Sequence, residues 1–348
     1  MVTKKLGNLK LSKDTNLTVI NEEDRKNRFI SSILFSRATI FHPASRLTSS
    51  MQSKLIEIAK SGGTNPNQPL ESVNVSSYGK TFQVDLHVDY LLQPHRDILE
   101  TLLAYAQTIQ LDNDSYDMGA RLTWSQVFQT IGEGELSASQ SDGLDSFIDR
   151  EATILSMSMY ELAKRMGMAP TRANYDQIEK RIIQLSTAHL IINELDENND
   201  IIGRKPLSFV QDYRFYCDRT KHKNRRSSQN NLTNHMFVVP DMRLLQAIRD
   251  HGYYYRLEQY KMSHYSKPSV RSFLKYITTH KVSYLHTKTL DWAISTYINS
   301  IASKVSHSFK SDLKKDLISN AIQIEQDFSL QLRDVGKGLQ IFNVGDAE

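Results

Sequence analysis

Cysteine is almost missing from this sequence: 348 residues contain one, Cys217. A lone thiol forms no internal disulfide and builds no cysteine zinc site, and such usage fits a reducing compartment. Proline and glycine are also sparse, at 8 and 14 residues, which argues against collagen-like and low-complexity chains. No apolar run reaches the roughly 18 to 20 residues that a membrane span needs. The opening MVTKKLGNLKLSKD has no apolar core behind its basic residues, so a secretory leader is not expected and a cytoplasmic location is. An excess of charge of one sign is lacking as well: 43 Lys and Arg stand against 39 Asp and Glu, a net of +4. Any nucleic-acid surface therefore depends on where the basic residues cluster.

Enzyme signatures are missing too. There is no GxxxxGK[ST], so ATP-driven chemistry has no phosphate cradle, and there is no HExxH and no GxSxG. A strand-nicking enzyme needs a metal-binding pair of histidines and a nucleophilic tyrosine. The nearest string, Asp85-Leu86-His87-Val88-Asp89, holds one histidine between two acids in an alternating strand. No enzymatic activity, metal or cofactor is expected.

What is present is 39% apolar and 24% charged residues over a length suited to two domains. Residues 1–28 are polar with mixed charge and read as a flexible arm. The run FISSILFSRATIF and the period-two stretch SVNVSSYGKTFQVDLHVDYLL, pivoting on Tyr78-Gly79-Lys80, predict a small sheet. Asp97 to Gln110 then places Ile98, Leu102, Tyr105 and Ile109 on one helical face. Residues 111–148 are rich in Asp, Ser, Gly and Gln and read as an exposed insertion loop.

Next come a short strand at 153–157, a helix capped by Ser158, a break at Gly167 and a helix from Pro170-Thr171 to about Thr187. Two short helices joined by a glycine turn are the helix-turn-helix pattern. HLIINEL, the turn DENND and IIGRKPLSFVQDYRFYC read as the hairpin called a wing. The order recurs: strand HMFVVP, helix DMRLLQAIRD, helix Pro268 to His280, strand VSYLH, helix TKTLDWAISTYI, helix 306–323 and hairpin FSLQLRDVGKGLQIFNV, turning at Gly336 and Gly338. The expected fold class is therefore α+β, two tandem winged helix-turn-helix domains related by internal structural duplication. The expected boundaries are an arm at 1–28, a first domain at 29–238 and a second at 239–348, with the seam near 238–242.

On the helix after Gly167, Tyr175, Ile178, Ile182 and Leu185 share a narrow arc and face the core. The opposite arc carries Ala173, Asp176, Gln177, Lys180 and Gln184, flanked by Thr171, Arg172 and Arg181. Gln and Lys read base edges, and Arg reaches guanine or phosphate; a solvated helix face is the competing reading. In KVSHSFKSDLKKDLISNAI, Phe309, Leu313 and Leu317 form the buried stripe. Lys304, His307, Ser308, Lys310, Ser311, Lys314 and Lys315 crowd the helix N-terminal half, where DNA contacts are usually made. The run DRTKHKNRRSSQNN, with Arg219, Lys221, Lys223, Arg225 and Arg226 against one acid, reads as a phosphate clamp or minor-groove arm, or else as a basic solvated loop. Tyr253-Tyr254-Tyr255, Tyr260 and Tyr265 are read as packing residues in preference to base-stacking ones.

The segments ISSILFSRATI, ILETLLAYAQ, LSMSMYELAKRMGMAPTRANYDQIEKRIIQLSTAHLII and FVVPDMRLLQAIRDHGYYYRLEQYKMSHYSKPSVRSFLKYITTH together resemble the iteron-binding plasmid replication initiators of the TrfA kind, over about residues 29–345. The resemblance implies recognition helices at 171–187 and 306–323 in successive major grooves of direct repeats. It further implies opening of an AT-rich stretch, recruitment of the host initiator and replicative helicase, a monomer–dimer equilibrium that sets copy number, and no nucleotide hydrolysis by the chain itself. The acidic insertion and the N-terminal arm depart from that pattern. Fold does not fix function, and a winged-helix transcriptional regulator and a strand-nicking replication enzyme stand as alternatives.

Overall fold

The computed structural model describes residues 17–20, 29–61, 68–77, 79–120, 122–124, 126–127, 147–148, 152–216, 235–241, 254–257, 259–280, 285, 288–334 and 339–343. They form a mixed α and β protein with two principal antiparallel sheets. Contacts group the chain into two interleaved units: residues 1–28, 101–179 and 210–246, and residues 29–100, 180–209 and 247–348.

The first unit carries a five-stranded sheet ordered β1-β5-β8-β12-β11, with β1 at Leu17–Ile20, β5 at Gln107–Leu111, β8 at Ile154–Ser158, β11 at Val210–Tyr216 and β12 at His235–Pro240. Every residue of β12 is buried, as the continuous apolar run HMFVVP requires of a strand covered on both faces. Leu17, Ile109, Leu111, Trp124, Ile154 and Phe237 belong to one core cluster. The Trp124 indole donates to Asp212 Oδ2 at 2.7 Å, which satisfies the one polar atom of a buried ring.

Four expectations change here. Residues 17–20, read as part of a free arm, pair with β5 as an edge strand and bury Leu17. The helix expected to reach Gln110 ends at Tyr105, because Gln107 to Leu111 is held as a strand between β1 and β8. Of the stretch VQDYRFYC, assigned to the wing, Val210–Tyr216 is β11 and pairs with β12. In the expected insertion loop, a helix α4 (Asn113–Asp117) and a strand pair β6 (Leu122–Thr123) with β7 (Phe147–Ile148) are formed.

After β8 comes α5 (Met159–Arg165), whose first turn is capped by Ser158 Oγ accepting from the Glu161 amide at 3.1 Å. Gly167, at φ +68°, stops it in the left-handed region that glycine enters without strain. The next helix, α6, covers Arg172–Thr187. Ser158→Ala removes the acceptor for an orphan amide, and a loss of about 1 kcal/mol is expected in urea unfolding.

The second unit carries a four-stranded sheet ordered β10-β9-β4-β3: β3 (Glu71–Ser77), β4 (Lys80–His87), β9 (His189–Leu195) and β10 (Ile201–Ser208). The DENND turn joins β9 to β10, with Asp196 Oδ1 accepting from the Asn198 and Asp200 amides at 2.8 Å each and Asn199 at φ +65°. A small pair joins β2 (Phe29–Ser32) to β13 (Tyr254–Leu257). The helices are α1 (Ile33–Arg37), α2 (Ser49–Lys60), α3 (Gln93–Tyr105), α7 (Gln259–Met262), α8 (Pro268–Ile277), α9 (Leu290–Asn299), α10 (Phe309–Ser319) and α11 (Ala321–Phe328), followed by the hairpin β14 (Leu330–Asp334) and β15 (Leu339–Asn343). The single helix expected over 306–323 is two, α10 and α11. They break at Asn320, whose side-chain amide donates to the Asp316 carbonyl at 2.7 Å in competition with the helical ladder. All but Asp241 of the expected helix DMRLLQAIRD and most of the strand VSYLH lie outside the described residues.

Charges are built into this unit's core. Arg96 pairs with Glu100 at 2.7 Å within α3, while Arg271 and Lys275 of α8 reach Asp97 at 2.9 and 3.3 Å. Lys275, 1% exposed, also bonds Glu100. Gln93 Nε2 donates to Asp97 at 2.8 Å and Arg96 to Ser36 at 2.8 Å. Beside this cluster Tyr297 packs edge-on to Phe273 at 5.4 Å and against Tyr276 at 5.4 Å. Of the tyrosines read as packing residues, Tyr265 is buried, stacks on Phe328 at 6.2 Å and donates to Asp327 at 2.9 Å, whereas Tyr260 is exposed.

Candidate nucleic-acid interface

The α5–Gly167–α6 segment sets the first candidate surface. Tyr175, Ile178, Ile182 and Leu185 are buried, which fixes the rotation of α6 and turns Ala173, Asp176, Gln177 and Lys180 outward. Thr171 is exposed and its hydroxyl accepts from the Asn174 amide at 3.4 Å, an N-terminal cap in position. Arg172 pairs with Asp176 at 2.8 Å with both side chains about half exposed. Such a surface pair is worth little, so giving it up costs the fold little.

Arg181 and Gln184 do not share that outward face. Arg181 is half-buried, and burial disfavours its charged form while the nearby Asp97 supports it. Gln184 is bonded inside the protein: its Nε2 donates to Asp89 Oδ2 at 2.8 Å, and its Oε1 lies 3.0 Å from His95 Nε2. The Leu92 amide donates to His95 Nδ1 at 2.9 Å, so Nε2 carries the proton and donates to Gln184. Burial holds His95 below the usual imidazole range, which keeps that arrangement neutral.

The second candidate surface is the start of α10. Leu313 and Leu317 are buried, and Lys304, His307, Ser308, Ser311 and Lys315 are exposed. Lys310, also exposed, and Lys314, half-buried, reach back toward α9: Lys310 Nζ donates to Ser295 at 2.9 Å and Lys314 Nζ to Asp291 at 2.8 Å. They link the two helices, and Lys315 is exposed one residue on. Arg219, Lys221, Lys223, Arg225 and Arg226 lie outside the described residues.

The hairpin β9–β10 adds two residues that reading by helices missed. Arg204 and Lys205 are exposed on β10, a strand at the edge of its sheet. The visible signal was GRKP, a basic pair beside a proline that a strand tolerates at an edge. Among the described residues no helix is long and apolar enough to cross a membrane, and no group of three or more His, Cys, Asp or Glu is placed to hold a metal. Asp85, of the string tested for metal binding, accepts from Ser72 at 2.7 Å and Asn193 at 2.7 Å.

The candidate surfaces are thus exposed basic and amide side chains on helices and a hairpin of a mixed α and β fold. No protein-family model matches the chain, and no curated protein matches it. Two crystal structures of domains 2 and 3 of RctB are similar in outline. The first, of the selenomethionine derivative, has a TM-score of 0.39 at 10% identity and covers 78% of this chain and 84% of that one. The second, of RctB residues 155–483, has a TM-score of 0.40 at 10% identity and covers 75% and 80%. Overlap of this extent carries no activity from one chain to the other.

Proposed function

We propose that the chain is a plasmid replication initiator that binds direct repeats in double-stranded origin DNA. In this reading it opens an adjacent AT-rich stretch and recruits the host initiator and replicative helicase without hydrolysing nucleotide. Two winged units are its frame: α5, α6 and the hairpin β9–β10, then α9, α10 and the hairpin β14–β15. The observation that carries the reading is the α5–Gly167–α6 segment, whose apolar arc is buried and whose Arg172, Gln177 and Lys180 face outward. Side chains of these types on the second helix of such a motif read base edges and phosphates. The resemblance of the chain to iteron-binding initiators supplies the direct repeats and the monomer–dimer control of copy number.

Footprinting the DNA that flanks the chain's own gene tests this. Protection of an array of direct repeats beside an AT-rich segment supports the initiator. Protection of a palindrome at a divergent promoter supports a transcriptional regulator instead, and metal-dependent cleavage of supercoiled plasmid by the purified chain supports a strand-nicking enzyme. Arg225→Ala with Arg226→Ala is expected to weaken specific and random DNA alike and to lower the salt dependence of log K by roughly two units, since each lost phosphate contact retains about one counterion. An unchanged salt slope removes the basic run from the interface.

A further inference from the structure

The second unit contains a cleft of about 540 Å³ that the DNA-binding reading does not use. Its walls come from α1, the edge strand β3, the end of α8 and one face of α9. Arg37, Asn74, Ser76, His280, Trp292 and Asn299 contribute the side chains relevant to binding. We propose that this cleft binds a free nucleoside phosphate.

Charge argues first. Among the described residues that line the cleft there is no aspartate or glutamate, while Arg37 supplies a guanidinium. Arg37 is fixed in place: Nη2 donates to the Thr279 carbonyl at 3.0 Å and Nε lies 3.4 Å from Thr279 Oγ1. Nη1 has no partner among the described residues, and a guanidinium held on one edge offers the other to a phosphate with little loss of freedom. His280 stands beside it, kept neutral by burial and by the Arg37 charge.

Shape and polarity name the rest of the ligand. Trp292 is half-buried in the wall, and Lys288 Nζ lies 5.2 Å from its ring centroid, so an aromatic face and a second cation stand together. Tryptophan is a stacking platform for any nucleobase. Asn74, Ser76 and Asn299 are exposed at the rim and hydrogen-bond to no described side chain, which leaves amide and hydroxyl groups for a base edge or ribose. β3 pairs only with β4 among the described strands, so alternate backbone amides on its outer edge have no ladder partner among those strands. The volume suits a ligand of this size, since small-molecule sites run from about 300 to 1,000 Å³. An aliphatic acid would use the arginine and leave the tryptophan idle; an apolar ligand would bury the guanidinium unpaired.

The test is equilibrium binding of a fluorescent ATP analogue to the full-length chain, with unlabelled ATP, AMP, inorganic phosphate and a short oligothymidylate as competitors. Saturable binding displaced by ATP or AMP, but not by phosphate at the same concentration, is expected. Asn74→Asp places a carboxylate on an exposed rim position and should weaken binding about tenfold or more with an unchanged thermal melt, through repulsion across a few ångströms. Asn74→Ser should bind nearly as the parent. No saturable binding, equal displacement by inorganic phosphate, binding of the oligonucleotide alone, or an unchanged affinity for Asn74→Asp would each overturn the proposal.

Discussion

Asp97→Ala is expected to lower the thermal midpoint by on the order of 10 °C, the largest effect of any single substitution considered. The carboxylate is almost fully buried between Arg271 at 2.9 Å, Lys275 at 3.3 Å and the Gln93 amide at 2.8 Å. Its removal leaves Lys275, 1% exposed, with Glu100 as its remaining anion, and leaves Arg271 without this carboxylate. Breaking a buried ion pair from one side typically costs about 3–5 kcal/mol, because the surviving charge stays desolvated. Urea unfolding measures it, and a loss below about 1 kcal/mol would show that water reaches the cluster.

The same cluster sets the response to acid. Burial raises the Asp97 carboxyl, but the attraction of Lys275 and Arg271 outweighs it and holds the group below its ordinary 3.8. A group depressed on folding contributes stability above its unfolded value and loses it as pH falls through the folded one. Stability from this site is therefore full at neutral pH and lost below about pH 4, where the Asp97→Ala variant should show a shallower acid dependence than the parent.

Gln177→Ala and Lys315→Ala carry the second large effect. Both side chains are exposed on helices whose opposite faces are buried, at Ile178 and Ile182 on α6 and at Leu313 and Leu317 on α10. A Gln or Lys side chain in good contact with a base edge is worth about 1–3 kcal/mol of discrimination, so each variant should weaken binding to the specific repeat by roughly 10- to 100-fold. Random DNA should hardly notice Gln177→Ala, because an uncharged amide adds little to counterion release. Titration of both variants on specific and scrambled duplexes in one salt decides it; equal loss on the two removes Gln177 from base reading. Gln184→Ala serves as the contrasting control: its amide is committed to Asp89 and His95, so it should reduce stability more than DNA specificity.

Much of this was legible because local signals were strong and agreed. Ser158, Gly167 and the apolar arc of Tyr175, Ile178, Ile182 and Leu185 each gave the same helix-turn-helix reading, and the structure has the cap, the left-handed glycine and the buried face in place. The β3–β4 hairpin likewise followed from alternation around Tyr78-Gly79-Lys80. What stayed hidden depends on partners distant in sequence. Ile109 fits a helical stripe and a strand equally well, and only pairing with Ile154 and Val19 selects the strand. β11 continues β10 without a composition change, yet belongs to another sheet because β12 supplies its ladder. Lys310, Lys314 and Gln184 looked like surface readers because their partners, Ser295, Asp291, Asp89 and His95, lie 15 to 95 positions away.

The interleaving of the two units has a consequence for synthesis. β3 and β4 end at His87, but their sheet is completed by β9, which begins at His189. At about 5–20 residues per second the ribosome needs on the order of 5–20 s to make the intervening hundred residues. Until then Val73, Val75, Val84 and Leu86, all buried in the finished protein, belong to a two-stranded hairpin that is at best marginally stable alone. The emerging chain thus carries these apolar side chains uncovered by β9 over that interval, and a strong translational pause between residues 90 and 190 is expected to raise aggregation more than the same pause placed after residue 210.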